Sequence, residues 1–114
     1  MNMNVKTYTK QINNEVIGIN IEGEIDVYTS PKVKEALNDL IQKENYNIVV
    51  NLEEVTYIDS TGLGVLIGGL KKVKENNGYI KLICTNPQIK KIFDITGLVK
   101  IFGIYDNEND ALKS

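Results

Sequence analysis

The sequence predicts an α/β fold in one domain, residues 1–114, with a mixed β-sheet entered through an N-terminal hairpin. Three observations predict it. Residues 16–22 alternate, with Ile17, Ile19 and Ile21 on one face and Gly18, Asn20 and Glu22 on the other, the period of a half-buried strand. Further on, apolar runs of strand length alternate with segments whose apolar residues recur every three or four positions, the pattern of strand–helix–strand units. The connections between them are too short for a second domain, and a chain of this length buries a core of its own without staples.

The elements follow in order. Val5 to Ile12 reads as a weak strand, and Asn13-Asn14 as the turn that folds it back on Val16 to Glu22. Gly23 to Tyr28 reads as a loop. Thr29-Ser30-Pro31 then offers a hydroxyl cap and a proline in the first turn of a helix. Val33, Ala36, Leu37, Leu40 and Ile41 keep its apolar stripe to about Lys43. Tyr46 to Leu52, with Ile48-Val49-Val50, is a candidate central strand, and Val55 to Ile58 a further short extended piece.

Asp59-Ser60-Thr61-Gly62 opens a second helix striped by Leu63, Leu66, Ile67, Leu70 and Val73. Lys71, Lys72 and Lys74 suit its negative C-terminal end, and Gly78 its stop. Tyr79 to Cys84 is the next strand. Asn86-Pro87 starts a third helix that turns Ile89, Ile92 and Phe93 inward and stops at Gly97. Ile101 to Tyr105 is the last strand, and Asp106 is a candidate cap for a short terminal helix through Leu112. The order is β-β-α-β-α-β-α-β-α, with the later strands largely parallel.

Composition removes most enzymes from consideration. There is no histidine, which excludes Ser-His-Asp and Cys-His catalysis and the usual zinc sites. All 13 positive charges are lysines, so no guanidinium fork clamps a phosphate. Cys84 is the only cysteine, so no internal disulfide forms, and it reads as a small buried apolar residue. A net charge of −2 argues against a general nucleic-acid binder. No apolar run reaches the roughly 20 residues of a bilayer span, and Met1 to Lys6 has no signal-peptide core. The expectation is a cytoplasmic binding or regulatory module that is not an enzyme and needs no cofactor or metal.

Two segments carry chemistry. In Asp59-Ser60-Thr61-Gly62-Leu63-Gly64, a hydroxyl lies between a strand end and a helix start, where unpaired N–H groups and the helix dipole favour an anion. A phosphate on Ser60 would be accommodated there. Thr61 offers a second hydroxyl one residue further into the helix. The plain alternative is that Ser60 is only an N-cap, Asp59 only complements the dipole, and the glycines only permit close packing. Gly64 and Gly68, one turn apart, fit such packing, whereas Gly62 has no partner glycine and is better explained by access to the loop. The second segment, Glu22 to Tyr28, also follows a strand. If both strands run side by side in one direction, Glu24, Asp26 and Asp59 form an acidic rim around Ser60. The plain alternative there is a solvated loop, with Tyr28 covering the first helix. A nucleophile elbow would need glycine at 58, where Ile58 stands, and a dinucleotide fingerprint glycine at 67, where Ile67 stands.

Gly23-Glu24-Ile25-Asp26-Val27-Tyr28, Asp59-Ser60-Thr61-Gly62-Leu63-Gly64-Val65 and Phe93-Asp94-Ile95-Thr96-Gly97-Leu98 together resemble the anti-sigma factor antagonists of the STAS domain family, over essentially the whole chain. The Asp-Ser-Thr-Gly variant and the Asp-Val-Tyr loop are most similar to antagonists acting on the general-stress factor sigma-B, with the sporulation sigma-F type as near relative. The resemblance implies a mixed sheet of about five strands with about four helices packed mainly on one side. It implies a partner switch: the unphosphorylated protein binds an anti-sigma factor that is also an ATP-dependent serine kinase, and so frees the sigma factor. Phosphorylation of the serine matching Ser60 ends binding, and a PP2C-type phosphatase restores it. Glu24, Asp26, Asp59, Ser60, Thr61, Gly62, Leu63 and Gly64 are then the expected partner-binding residues, on a protein that is a monomer when free. Two other classes compete. A nucleotide- or small-molecule-binding STAS module is tested by thermal shift with nucleotides. A hydrolase using Ser60 lacks a base at suitable spacing and is tested by fluorophosphonate labelling.

Overall fold

The computed structural model describes residues 5–114. The reading of Met1 to Asn4 as part of an N-terminus without a leader lies outside the described residues. The chain runs β1 (Val5–Gln11), β2 (Ile17–Ile25), α1 (Ser30–Gln42), β3 (Asn47–Ile58), α2 (Ser60–Lys74), β4 (Tyr79–Ile83), α3 (Pro87–Ile95), a 3-10 turn (Leu98–Lys100), β5 (Gly103–Tyr105) and α4 (Glu108–Lys113). The mixed sheet and its hairpin are those the patterning predicts.

The strands lie side by side in chain order, β1-β2-β3-β4-β5. β1 pairs antiparallel to β2, and each later neighbour is parallel. Each parallel crossover steps the same way along the sheet. Right-handed connections therefore place α1, α2 and α3 on one face. The main core fills the space between them: Ile19, Ile21 and Ile25 of β2 and Ile48, Val50 and Leu52 of β3 meet Val33 and Leu37 of α1 and Leu66 and Val73 of α2. Phe93 and Phe102 close one end edge to face, their ring centroids 6.0 Å apart. The helix α4 has a different seat. Its Ala111 packs with Val16, Val49 and Ile83 in a second cluster. There Lys81 Nζ donates to the carbonyls of Ala111 at 3.0 Å and Ser114 at 2.8 Å. Among the described residues no helix is long and apolar enough to cross a membrane.

Several boundaries differ from the sequence reading, each for a physical reason. β2 does not stop at Glu22 but continues to Ile25, pairing Ile25 with Ile58. Register shifts at Asn20/Glu22 and Gly23/Glu24 bend it, and Gly23 supplies the φ of 109° that the irregularity needs. The two extended pieces at 46–52 and 55–58 are one strand, β3. Its charged pair Glu53-Glu54 looks like a break but lies within the sheet. The Glu53 carboxylate accepts from the Thr85 N–H at 2.9 Å. β5 begins at Gly103, because 98–100 turn as a 3-10 helix and Ile101 is exposed. Asn107, not Asp106, caps α4, its side chain accepting the Asp110 N–H at 2.8 Å. Asn86 caps α3 as expected.

Candidate functional site

The site is built where β2 and β3 end together. Because the two strands are parallel neighbours, both following segments leave at one edge of the sheet. The Asp59 N–H donates to the Ile25 carbonyl at 3.1 Å, so one bond fastens the two exits to each other.

Asp59 is the N-cap of α2. Its backbone is extended, and its Oδ1 accepts the Gly62 N–H at 3.0 Å. The Leu63 N–H makes the first turn's backbone bond to the Asp59 carbonyl at 3.0 Å. Ser60 is therefore not the cap, as the plain alternative had it, but the first helical residue. Its hydroxyl makes no hydrogen bond among the described residues, and the residue is exposed. Its amide and that of Thr61 precede the first intrahelical bond and belong to the electropositive end.

Gly62 reverses the sequence argument about glycines. A Cβ there would stand 2.7 Å from Ile25 Cγ2 and 2.8 Å from Ile58 Cγ1. Gly62 is the point at which α2 presses on the strand ends, and it is buried. Gly64 and Gly68, expected to give close approach, have nothing within 4 Å of the same position. They line an open cleft of about 300 Å³ between α1 and α2, with Thr61 at its rim and Lys34 and Leu37 across it. Leu63 is buried beside Gly62 and anchors the first turn.

The β2–α1 loop is fastened by its own side chains. Asp26 Oδ1 accepts from the N–H groups of Tyr28 at 2.9 Å and Thr29 at 3.0 Å. The Thr29 hydroxyl accepts from the Asp26 N–H at 2.9 Å and donates to the Glu24 carbonyl at 2.7 Å. Thr29 stands at the N-cap position of α1 but makes no side-chain cap bond, which corrects the expected hydroxyl cap. It is 2 % exposed and works as a clasp across the loop.

Glu24, Asp26 and Asp59 thus come to one edge, each half-buried. Asp26 and Asp59 do not offer bare carboxylates: Asp26 holds two backbone N–H groups of its loop and Asp59 one of its helix. Ser60, Thr61 and Gly64 offer the exposed surface. Gly62 and Leu63 set its shape from beneath.

Tyr57 was not singled out in the sequence, and Val27 and Tyr28 entered the reading only within the loop that ends at Tyr28. Val27 is 57 % exposed, Tyr28 61 % and Tyr57 49 %. Tyr28 therefore does not cover the first helix. Tyr57 lies two residues before Asp59 and pairs in register with Glu24. The only signal for them was apolar residues where neither helical nor strand period required them. The edge is thus an exposed hydroxyl on a rigid junction, beside large apolar side chains and two fixed carboxylates. That suits recognition. Among the described residues no cluster of three metal-ligating side chains forms.

A sheet of this order, helices on one face and a capped serine after its central strand define a class. Residues 7–111 match the STAS domain, and the chain belongs to the STAS domain family. It is 39% identical over 108 residues to the anti-sigma-B factor antagonist of Listeria monocytogenes, covering 95% of each chain. It is 41% identical over 98 residues to the anti-sigma-B factor antagonist of Staphylococcus aureus, covering 86% of this chain and 88% of that one. The crystal structure of an anti-sigma factor antagonist from Mycobacterium paratuberculosis is similar with a TM-score of 0.87 at 26% identity, over 96% of this chain and 92% of that one. Within its family the chain stands with the anti-sigma factor antagonists.

Proposed function

We propose that this chain is the phosphorylation-controlled ligand of a cytoplasmic anti-sigma factor that is also a serine kinase, and that the sigma factor it releases is sigma-B. The observation that carries the reading is Ser60: an exposed hydroxyl without a hydrogen bond among the described residues, on the first helical residue after the Asp59 cap, at the edge that also carries Val27, Tyr28 and Tyr57. The relatives at about 40% identity, named anti-sigma-B factor antagonists, support the choice of sigma factor.

In the unphosphorylated state the edge offers the partner a neutral hydroxyl, apolar side chains and two carboxylates already engaged at home. ATP-dependent phosphorylation of Ser60 adds about −1.5 to −2 charges at that point. The helix N-terminus tolerates the anion, so the fold survives. The interface does not, because the phosphate must be desolvated next to Asp59 and Asp26. A hundredfold loss of affinity needs only about 2.7 kcal/mol, which one imperfectly paired buried charge supplies. No rearrangement of the sheet is needed. A PP2C-type phosphatase resets the hydroxyl.

The test is phosphosite mapping by mass spectrometry after incubation with the anti-sigma kinase of the same organism and ATP. A single phosphate on Ser60 is expected. Ser60→Ala should bind the kinase and never be released, and Ser60→Asp should bind about tenfold or more weakly. Equal binding of wild type and Ser60→Asp, or a phosphate elsewhere, overturns the reading.

A further inference from the structure

At the far end of α2 a second surface has no role in this switch. Ile67 and Leu70 of α2 and Ile101, after the 3-10 turn, floor a groove of about 730 Å³ open to solvent. Lys71 and Lys74 of α2 and Lys100 of the 3-10 turn stand on its rim, against one carboxylate, Glu75. Ile101 is 50 % exposed, and Ile95 and Val99 in the same short stretch are exposed as well.

The lysines are uncommitted. Lys10 pairs with Glu108, Lys32 donates to the Val5 carbonyl, Lys72 to Asn38, and Lys81 to the end of α4. The side chains of Lys71, Lys74 and Lys100 make no hydrogen bond or ion pair among the described residues. Lys71 and Lys74 suit the C-terminal dipole of α2. Lys100 enters from another element, and with it the positive charge spans both walls of the groove. The chain as a whole carries −2, so this excess is local.

We infer that this groove is a docking surface for an acidic amphipathic helix of a partner protein, with apolar side chains laid on Ile67, Leu70 and Ile101 and carboxylates met by Lys71, Lys74 and Lys100. An apolar trough between walls fits a row of side chains on a helix face, and its rim complements acid. The groove lies along the last two turns of α2, and that helix is 15 residues long. At 1.5 Å per residue, Ile67 is about 10 Å and Lys74 about 21 Å from Ser60 along the helix axis. The two surfaces are therefore separate, and a partner docked here holds the protein whether or not Ser60 carries a phosphate.

The experiment is a nitrogen-15 NMR titration of the full chain with a synthetic amphipathic helical peptide bearing Leu on one face and Glu on the other. Its Lys-for-Glu counterpart and vesicles of phosphatidylglycerol are titrated in parallel. The acidic peptide should move the amide signals of Ile67, Lys71, Lys74, Lys100 and Ile101 and leave Ser60 and Thr61 in place. The basic peptide should bind at least about tenfold more weakly. Ile101→Ser, and Lys71→Glu combined with Lys74→Glu, should each weaken the acidic peptide about tenfold. All three positions are exposed, and unchanged melting of the variants would show that the fold is intact. Ser60→Asp should leave the affinity unaltered. No shift with the acidic peptide at millimolar concentration, equal binding of both peptides, or shifts centred on Ser60 would each overturn the inference. Binding of the vesicles without binding of the peptide would make the groove a lipid contact and overturn it too.

Discussion

Gly62 and Gly64 stand two positions apart in α2 and meet opposite surroundings. An alanine at 62 would drive its methyl into Ile25 and Ile58. Overpacking of this kind costs about 1–3 kcal/mol, against which alanine's helix preference returns about 1 kcal/mol. Gly62→Ala should therefore lower stability by up to about 2 kcal/mol, while Gly64→Ala, with open space around it, should raise it by about 0.5–1 kcal/mol. Urea midpoints of the two variants test the pair together, and equal midpoints would contradict the close approach at Gly62. The sequence did not reveal which glycine was which. Spacing along a helix says which residues share a face, but α2 turns Gly62 onto the strand ends and Gly64 away from them. The cap was misplaced by one residue: the sequence offered Ser60 for it, whereas Asp59 accepts the Gly62 N–H.

At the scale of elements, the hairpin and the three crossovers were readable because period-two and period-three-to-four patterns report burial directly. The end of β2 and the middle of β3 were not. Glu22, Glu24, Glu53 and Glu54 lie in strands whose second face is not covered by α1–α3, so charge is permitted there, and charge in a strand reads as loop. The β2–α1 connection failed for another reason. Thr29 bonds to Asp26 and to Glu24, five residues back, and such clasps have no period. Tyr57 was passed over, and Tyr28 was read as a cover for the first helix, because large apolar residues are assigned to a core by default. The clasp has a measurable weight. Thr29→Val keeps the shape but leaves the Asp26 N–H and the Glu24 carbonyl without that hydroxyl, at a cost of about 1–3 kcal/mol. Amide hydrogen exchange should quicken at Tyr28 and Thr29 before it does in β3. Uniform quickening across the sheet would show that Thr29 acts on the whole fold instead.

For the whole molecule, alkali is the revealing solvent. Burial raises the Cys84 thiol pKa above its ordinary value, and burial followed by the charge of Glu15 raises that of the Tyr79 phenol. Both groups hold their protons more tightly folded than unfolded. Their contribution to stability is complete below the unfolded values, about pH 8.5 for the thiol and about pH 10 for the phenol, and is lost as pH climbs through the folded ones. The urea midpoint should be level between pH 7 and 8 and fall steadily from pH 9 to 11. A midpoint unchanged at pH 11 would remove both groups from the account. Below pH 8 the buried Cys84 should resist alkylation by iodoacetamide until the chain is unfolded.

The strand order described above has one more consequence. Every sheet neighbour is also the next strand along the chain, so no strand waits for a distant partner. As the polypeptide leaves the ribosome, β1 and β2 are able to pair before any later strand is made, and β3 can join them once α1 has crossed over. The edge bearing Ser60 is therefore assembled from the first two thirds of the chain. Domains built from such neighbouring contacts close shorter loops during folding and reach the native state sooner than those that pair remote strands.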